Sequence, residues 1–487
     1  ERNTIKTEPL IPVRGNIYDR HGVPMAVNKL GFKILIKPHL RYKKRLHELD
    51  TLTKNITNVF PHLDKEKLKR AYLQKDSHYR HDDILVVPFI HYDDMLPHFT
   101  HLSSNNAISI EPATLRYYPN NQIASHILGY VSKSKSKSGD EAIIGVEGRA
   151  GLEKYYNKSL QGELGERTYQ VTATNIEIAE LGRVNPTTNQ DLILNIDVEL
   201  QKVLHAQFKD KAGVGIIMDA KTGALLAAGS YPEYDINQFV TGISSKKWKR
   251  LIEDLNHPFL NKIVNSNYPP GSVVKPTVGL AFMESPWLNS YSSHYCSGSY
   301  EFGDRNFRCW KDRGHSEVRL REAIRESCDI YFYKGSEKVG IDNIAAKLKN
   351  YGFGVKSNID LPNEFRGIVP DKAWKMQRYN KPWYIGETFN TSIGQGSFLT
   401  TPIQIVRNTA LIASGNLVTP HLAKNIADVE VNVTVERDIY SPSDQRYIKQ
   451  IRRAMMDVMN APKGTATRYV HTPLLLAGKT GTAQVVG

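Results

Sequence analysis

Pro269-Pro270-Gly271 stops whatever element leads into it, so the apolar run TVGLAFMES just downstream has to start afresh as a helix. Pro276 fixes that start more tightly, because proline is tolerated only in the first helical turn, where its missing N–H has no partner to lose. Ser272 is therefore predicted at a helix N-terminus, with Lys275 three residues on along the same face. Unpaired backbone N–H groups and the positive end of the helix dipole favour an oxyanion forming at such a serine. A lysine that is desolvated or held near another cation can take the serine proton.

The spacing is not specific by itself. Ser132/Lys135, Ser134/Lys137 and Ser244/Lys247 repeat it in polar, loop-like sequence. Two further segments matter more. Ser327-Cys328-Asp329 lies between REAIRE and IYFYKG, where one helix ends or bends into the next. Lys479-Thr480-Gly481-Thr482 follows the apolar LLLAG and precedes AQVV, and reads as a strand with a close-approach glycine.

The rest of the chain organises around these segments. Arg14 to Tyr18 reads as a strand, His21-Gly22 as a turn, and Met25 to Val27 as a returning strand. Residues 40–100 have helical apolar spacing broken at Phe60-Pro61 and read as a solvated helical lobe. His47, His62, His78, His81, His91 and His98 are scattered there without metal-ligand spacing. SKSKSKSG from Ser132 to Gly139 is a polar loop, and Gly151 opens a helix that stops near Gly162. DLILNID at 191–197 alternates like a strand, and VELQKVLHAQF continues as an amphipathic helix. The main boundary is placed near residue 190. Beyond it come strands at Val214–Met218 and Ala224–Ser230, then a helix opened by Ser441-Pro442 with Ile448, Ile451, Met455, Val458 and Met459 on one face. The order of elements predicts an α+β fold rather than a doubly wound sheet.

A length of 487 residues allows two to four domains at ~150 residues each. With 40% hydrophobic and 23% charged residues, the chain is neither a polytopic membrane protein nor wholly disordered. It contains no apolar run of about 18 residues and no signal-peptide pattern. The net charge of +14 suits anionic surroundings. No RNP motif, zinc-finger repeat or basic-aromatic stripe points to nucleic acid.

Ser-x-x-Lys, Ser-x-[Asp/Asn] and Lys-Thr-Gly, in that order, are the signature set of the serine penicillin-recognising enzymes. RGNIYDRHG, LRYYPNNQIASHILGYV, GVEGRAGLEKYYNKSLQGELGE, GIIMDAKTGALLAAGSYPEYDINQF and ETFNTSIGQGSFLTTPIQIV extend the likeness over nearly the whole chain. The sequence resembles the class B penicillin-binding proteins. Ser-x-Asp and the stretch around TGISSKKW look most like the elongation-specific type, with the division-specific type the nearer alternative.

The resemblance implies a non-catalytic pedestal (1–190) with a head lobe at about 35–110, then a transpeptidase domain (191–487) of central antiparallel sheet and helices. Residue roles follow in the same way. Ser272 would be the acylated nucleophile, Lys275 its base, Ser327 the relay to the leaving D-alanine, and Asp329 the holder of lysine and donor peptide. Lys479 would face the donor carboxylate with the hydroxyls of Thr480 and Thr482 beside Gly481, and the Ser272 and Thr482 N–H groups would form the oxyanion hole. It further implies peptidoglycan stem peptides and β-lactams as ligands. A rod-complex scaffold protein and a membrane-embedded glycan polymerase would dock on the pedestal. The location implied is the bacterial inner membrane, with the catalytic domain in the periplasm. The family's N-terminal anchor is missing here, and its strands and helix after Lys-Thr-Gly are absent past Gly487, so the transpeptidase domain is expected to be incomplete. A penicillin-binding sensor or scaffold is the reading from another class.

All three cysteines fall in one window with a histidine, as Cys296-x12-Cys309-x5-His315-x12-Cys328. Three thiolates and an imidazole suit structural zinc. A Cys296–Cys309 disulfide and three free thiols are the competing readings. Related elongation-type proteins carry a metal at similar positions, with carboxylates replacing some thiolates, so the resemblance favours zinc tying RNFRCWKDRGHS to the back of the Ser327 motif.

Overall fold

The computed structural model describes residues 4–79, 81–172, 177–188, 190–438 and 442–483. The long strand Pro24–Ile36 organises the N-terminal half. It returns antiparallel from Ile17–Tyr18 through the predicted turn, and pairs on its outer stretch with both Ile84–His91 and Ile108–Tyr117. Two helices, Leu46–Val59 and Lys65–Lys75, lie with this outer stretch. The second is capped by Asp64, whose carboxylate accepts from the Glu66 and Lys67 N–H groups at 2.9 and 3.1 Å. Ile34, Leu49, Leu52, Ile56, Tyr72 and Val87 close a separate lobe core.

The lobe is less helical than its sequence suggested. ILVVPFIH is a strand, and a short continuous apolar run of this kind fits a buried strand as well as a helix segment. Beyond Ile108–Tyr117 a short helix, Ser125–Leu128, intervenes, and Val131–Lys133 pairs with Val146–Gly148.

The sheet that starts in the pedestal does not end there. Leu192–Leu194 joins Ile17–Tyr18 in parallel, and Ala423–Ile426 adds antiparallel to its other edge. The core beneath mixes Ile17, Tyr118, Leu152 and Leu192 with Leu225, Ile263, Ile403 and Leu422. Asp360 stitches the seam. Its buried carboxylate accepts from the Leu422 and Ala423 N–H groups at 2.7 and 2.8 Å and from the Tyr156 hydroxyl at 2.9 Å.

Past the seam, Asp197 caps the helix Val198–Gln207, and that helix packs on the antiparallel pair Gly213–Met218 and Leu225–Tyr231. The buried Gln201 amide binds both the N–H and the C=O of Ala228. A third core is mainly helical. At its centre every residue of the helix Lys275–Met283 is buried, surrounded by Leu320–Arg325, Asp329–Val339, Ile341–Asn350 and Pro442–Asn460. The predicted face of the last helix is the buried one at Ile448, Ile451, Met455 and Val458, with Met459 partly buried against the same core. Its expected cap, Ser441, lies outside the described residues. Among the described residues Lys479–Thr482 is not a strand, because no neighbouring strand offers it a ladder.

Candidate active site

Proline sets the geometry of the serine turn. Pro270 precedes a 3-10 turn, Gly271–Val274, that runs directly into the helix, with Pro276 in its first turn. Gly271 takes φ +61 and donates to the Gly394 carbonyl at 2.9 Å. Ser272 is half-buried, and among the described residues its hydroxyl has no hydrogen-bond partner. Neither the Ser272 nor the Thr482 N–H is bonded to a described residue, which leaves both free to meet an oxyanion.

Lys275 opens the helix that follows the serine turn. Its fully buried amine donates to Asp329 Oδ1 at 2.7 Å, to the Ser327 carbonyl at 2.9 Å and to Ser327 Oγ at 3.3 Å. The Phe332 ring lies 5.4 Å from the same nitrogen. Ser327 stands at a sharp joint with φ +55, between the helices Leu320–Arg325 and Asp329–Val339. Lys479 donates to the same hydroxyl at 3.0 Å. Burial pushes the Lys479 amine well below the usual lysine range, and the Lys275 charge adds to this while Asp329 opposes it.

Lys479-Thr480-Gly481-Thr482 runs against the serine turn. A Cβ on Gly481 would sit 2.7 Å from Val273 Cγ1, so the close approach expected of this glycine is present. The Thr480 hydroxyl is bonded to Thr465 at 2.7 Å, and Gln395 Nε2 donates to the Thr482 carbonyl at 3.2 Å. Ser272, Lys275, Ser327, Asp329 and Lys479 to Thr482 thus share one cleft.

Sequence reasoning missed the supports. Gly394 and Gln395 were visible only as part of SIGQGS, and Thr465 carried no signal. Trp310 was visible only as the residue after Cys309. Its backbone N–H donates to Asp329 Oδ2 at 3.0 Å, and its indole N–H to the carbonyls of Glu326 and Ser327 at 3.0 and 3.1 Å.

Directly behind this motif the four predicted ligands meet. Cys296, Cys309, His315 and Cys328 are all buried, and their ligand atoms lie within 4.8 Å of one another. The three cysteines are free thiols, so the disulfide reading is not what the structure has. His315 Nδ1 is 3.5 Å from Cys296 Sγ and 3.6 Å from Cys309 Sγ. Tetrahedral zinc with ordinary bond lengths separates sulfur and nitrogen ligands by about 3.5 Å, so the donor set and its spacing fit that ion. Hydrogen bonding from Cys328, and then from His315, holds the thiols of Cys296 and Cys309 below the usual thiol range. Asp329 N–H donates to Cys309 Sγ at 3.4 Å, which joins the cluster to the cleft.

Residues 213–487 match the penicillin binding protein transpeptidase domain, and residues 9–194 match the penicillin-binding protein dimerisation domain. The chain is a class B penicillin-binding protein. This penicillin-binding protein is 32% identical over 512 residues to the peptidoglycan D,D-transpeptidase MrdA of Acinetobacter baumannii, covering 100% of this chain and 73% of that relative. Its fold is similar to that of PBP2 in the complex of PBP2 and MreC from Helicobacter pylori, with 42% identity and a TM-score of 0.92 over 99% of this chain and 89% of that one. A chain from a peptidoglycan synthase complex, studied for its coordination of polymerization and crosslinking, is 27% identical with a TM-score of 0.77, over 100% of this chain and 83% of that one.

Proposed function

We propose that this class B penicillin-binding protein is the peptidoglycan D,D-transpeptidase of cell elongation, working through an acyl-enzyme on Ser272. The observation that carries the reading is the convergence of Lys275 and Lys479 on the Ser327 hydroxyl, with Asp329 behind Lys275 and the free Ser272 hydroxyl on the adjoining turn. Ser272 Oγ attacks the carbonyl of the penultimate D-alanine, and its proton passes to Lys275. The oxyanion is met by the Ser272 and Thr482 N–H groups, each such donor supplying ~3–4 kcal/mol. The amide C–N bond breaks, Ser327 delivers a proton to the leaving terminal D-alanine, and an amine of a neighbouring stem peptide then attacks the ester and frees Ser272. Lys479, Thr480 and Thr482 hold the donor's terminal carboxylate, and Gly481 allows the close approach.

Cys296, Cys309, His315 and Cys328 would hold a structural zinc ion, which supplies a rigid tether between the Cys309 loop and the Ser327 motif and takes no part in acyl transfer. Residues 1–190 would form the pedestal with its lobe at about 35–110, and residues 191–487 the catalytic domain. By analogy with the relatives solved with MreC and in a peptidoglycan synthase complex, the pedestal would dock a rod-complex scaffold and a membrane-embedded glycan polymerase. The catalytic domain would then work in the periplasm beside the inner membrane. Among the described residues no helix is long and apolar enough to cross a membrane.

The test is intact-mass analysis after exposure to a β-lactam, followed by a transfer assay with a donor stem peptide and an acceptor amine. One adduct on Ser272, lost in Ser272→Ala, together with D-alanine release and cross-linked product, is expected. An adduct persisting in Ser272→Ala overturns the site. Acylation without transfer makes the protein a sensor.

A further inference from the structure

Lys275 is held by two acceptors, and neither belongs to it alone. Asp329 takes Lys275 Nζ on Oδ1 at 2.7 Å and the Trp310 backbone N–H on Oδ2 at 3.0 Å. The Ser327 carbonyl takes Lys275 Nζ at 2.9 Å and the Trp310 indole N–H at 3.1 Å. One residue thus binds the far side of both groups that place the lysine, and its indole also bonds the Glu326 carbonyl at 3.0 Å.

The joint it braces is strained. Ser327 has φ +55, a conformation that strains a non-glycine residue and persists only where its surroundings over-determine it. Among the described residues the indole N–H is the one side-chain donor other than Lys275 that reaches the Ser327 carbonyl. Trp310 is in turn fixed by its neighbours: Cys309 Sγ receives the Asp329 N–H at 3.4 Å, and the Trp310 and His315 rings meet edge to face at 5.5 Å. Yet 60% of Trp310 stays open to solvent, so its bonds, rather than burial of its ring, account for its fixed place.

We infer that Trp310 is a positioning residue for acyl transfer, bracketing Asp329 and the Ser327 carbonyl so that the Lys275 amine and the Ser327 hydroxyl keep their places. Its hydrogen bonds go to Asp329 and to the Glu326 and Ser327 carbonyls rather than to Lys275 or the attacking serine, so its effect belongs in the chemical step and not in ligand capture. The inference rests on Ser272 being the acylated group.

The experiment is stopped-flow acylation of the intact protein by a chromogenic cephalosporin, resolved into the noncovalent dissociation constant and the first-order acylation rate. Trp310→Phe keeps an aromatic side chain and the backbone N–H and loses the indole donor together with the five-membered part of the ring. The acylation rate is expected to fall about tenfold or more, as for loss of a positioned hydrogen bond, with the dissociation constant within about threefold of wild type. Metal content and melting temperature should stay unchanged. A wild-type acylation rate overturns the inference. So does an equal loss in dissociation constant, melting temperature and metal, which would mean general packing. If Trp310→Phe does not fold, a chain carrying 3-benzothienylalanine at position 310, in which sulfur replaces the N–H in a ring of the same shape, gives the same readout. Failure of the underlying function looks different, because the wild-type protein would then carry no adduct on Ser272.

Discussion

The amines of Lys275 and Lys479 meet on a single oxygen, the Ser327 hydroxyl, at 3.3 and 3.0 Å. Two ammonium groups cannot share that position cheaply. Burial, reinforced by the Lys275 charge, pushes the Lys479 amine well below its ordinary value.

The sign of the resulting pH dependence is fixed. Below its lowered folded value, Lys479 is charged in both folded and unfolded chains, and folding carries the full penalty of burying the charge. Above the ordinary lysine value of ~10.4 it is neutral in both, and the penalty is gone. Wild type should therefore gain stability relative to Lys479→Met as pH is raised through that window. Urea unfolding of both proteins from about pH 7 to about pH 10 checks it, and a pH-independent difference would refute it.

Glu153 gives the opposite slope. Burial raises its pKa, but Arg116 at 2.6 Å and Arg14 at 2.7 Å outweigh burial and hold the carboxyl below its usual range. The stability it contributes is present above the unfolded carboxylate value of ~4.3 and is lost as pH falls through the folded one. Glu153→Gln leaves two guanidinium groups without their counter-charge in the pedestal core and should cost ~3–5 kcal/mol in a denaturant melt at neutral pH.

Gly394 backs the serine turn with φ +75, and a Cβ there would lie 2.2 Å from the Gly271 carbonyl oxygen. Gly394→Ala must push the turn outward and carry Ser272 with it. Acylation by a β-lactam should slow about 100-fold, the typical cost of a displacement near 1 Å, while the pedestal's protease resistance is unchanged.

Cys328→Ser removes one ligand without opening a large cavity. Metal analysis of protein purified without chelator should find close to one zinc per wild-type chain and little in the variant, and a chelator should lower the melting temperature of wild type alone. Absence of zinc from wild type would refute the assignment.

What could be read in advance was what acts locally. Pro270, Gly271 and Pro276 dictate the serine turn through their own backbone limits, and VELQKVLHAQF shows its helix by its apolar spacing. The cysteine window was legible because few residue types ligate metals. Trp310, Thr465 and Gln395 were not, since each acts on a group distant in sequence through contacts that only the folded chain creates. ILVVPFIH was ambiguous because an apolar run without periodicity fits either a strand or a buried helix. The pairing of Leu192–Leu194 with Ala423–Ile426 had no local signature at all.

That pairing also dictates an order of events during synthesis. Leu192–Leu194 leaves the ribosome with one edge soon matched to Ile17–Tyr18 and the other bare until Ala423–Ile426 has been made. For the whole interval in which the catalytic helices emerge, the nascent chain carries an unpaired edge, a template for mispairing with any extended segment nearby. Release from that hazard comes only once residues 423–426 have been translated, so a stall between residues 194 and 423 would strand a pedestal that looks finished and is not.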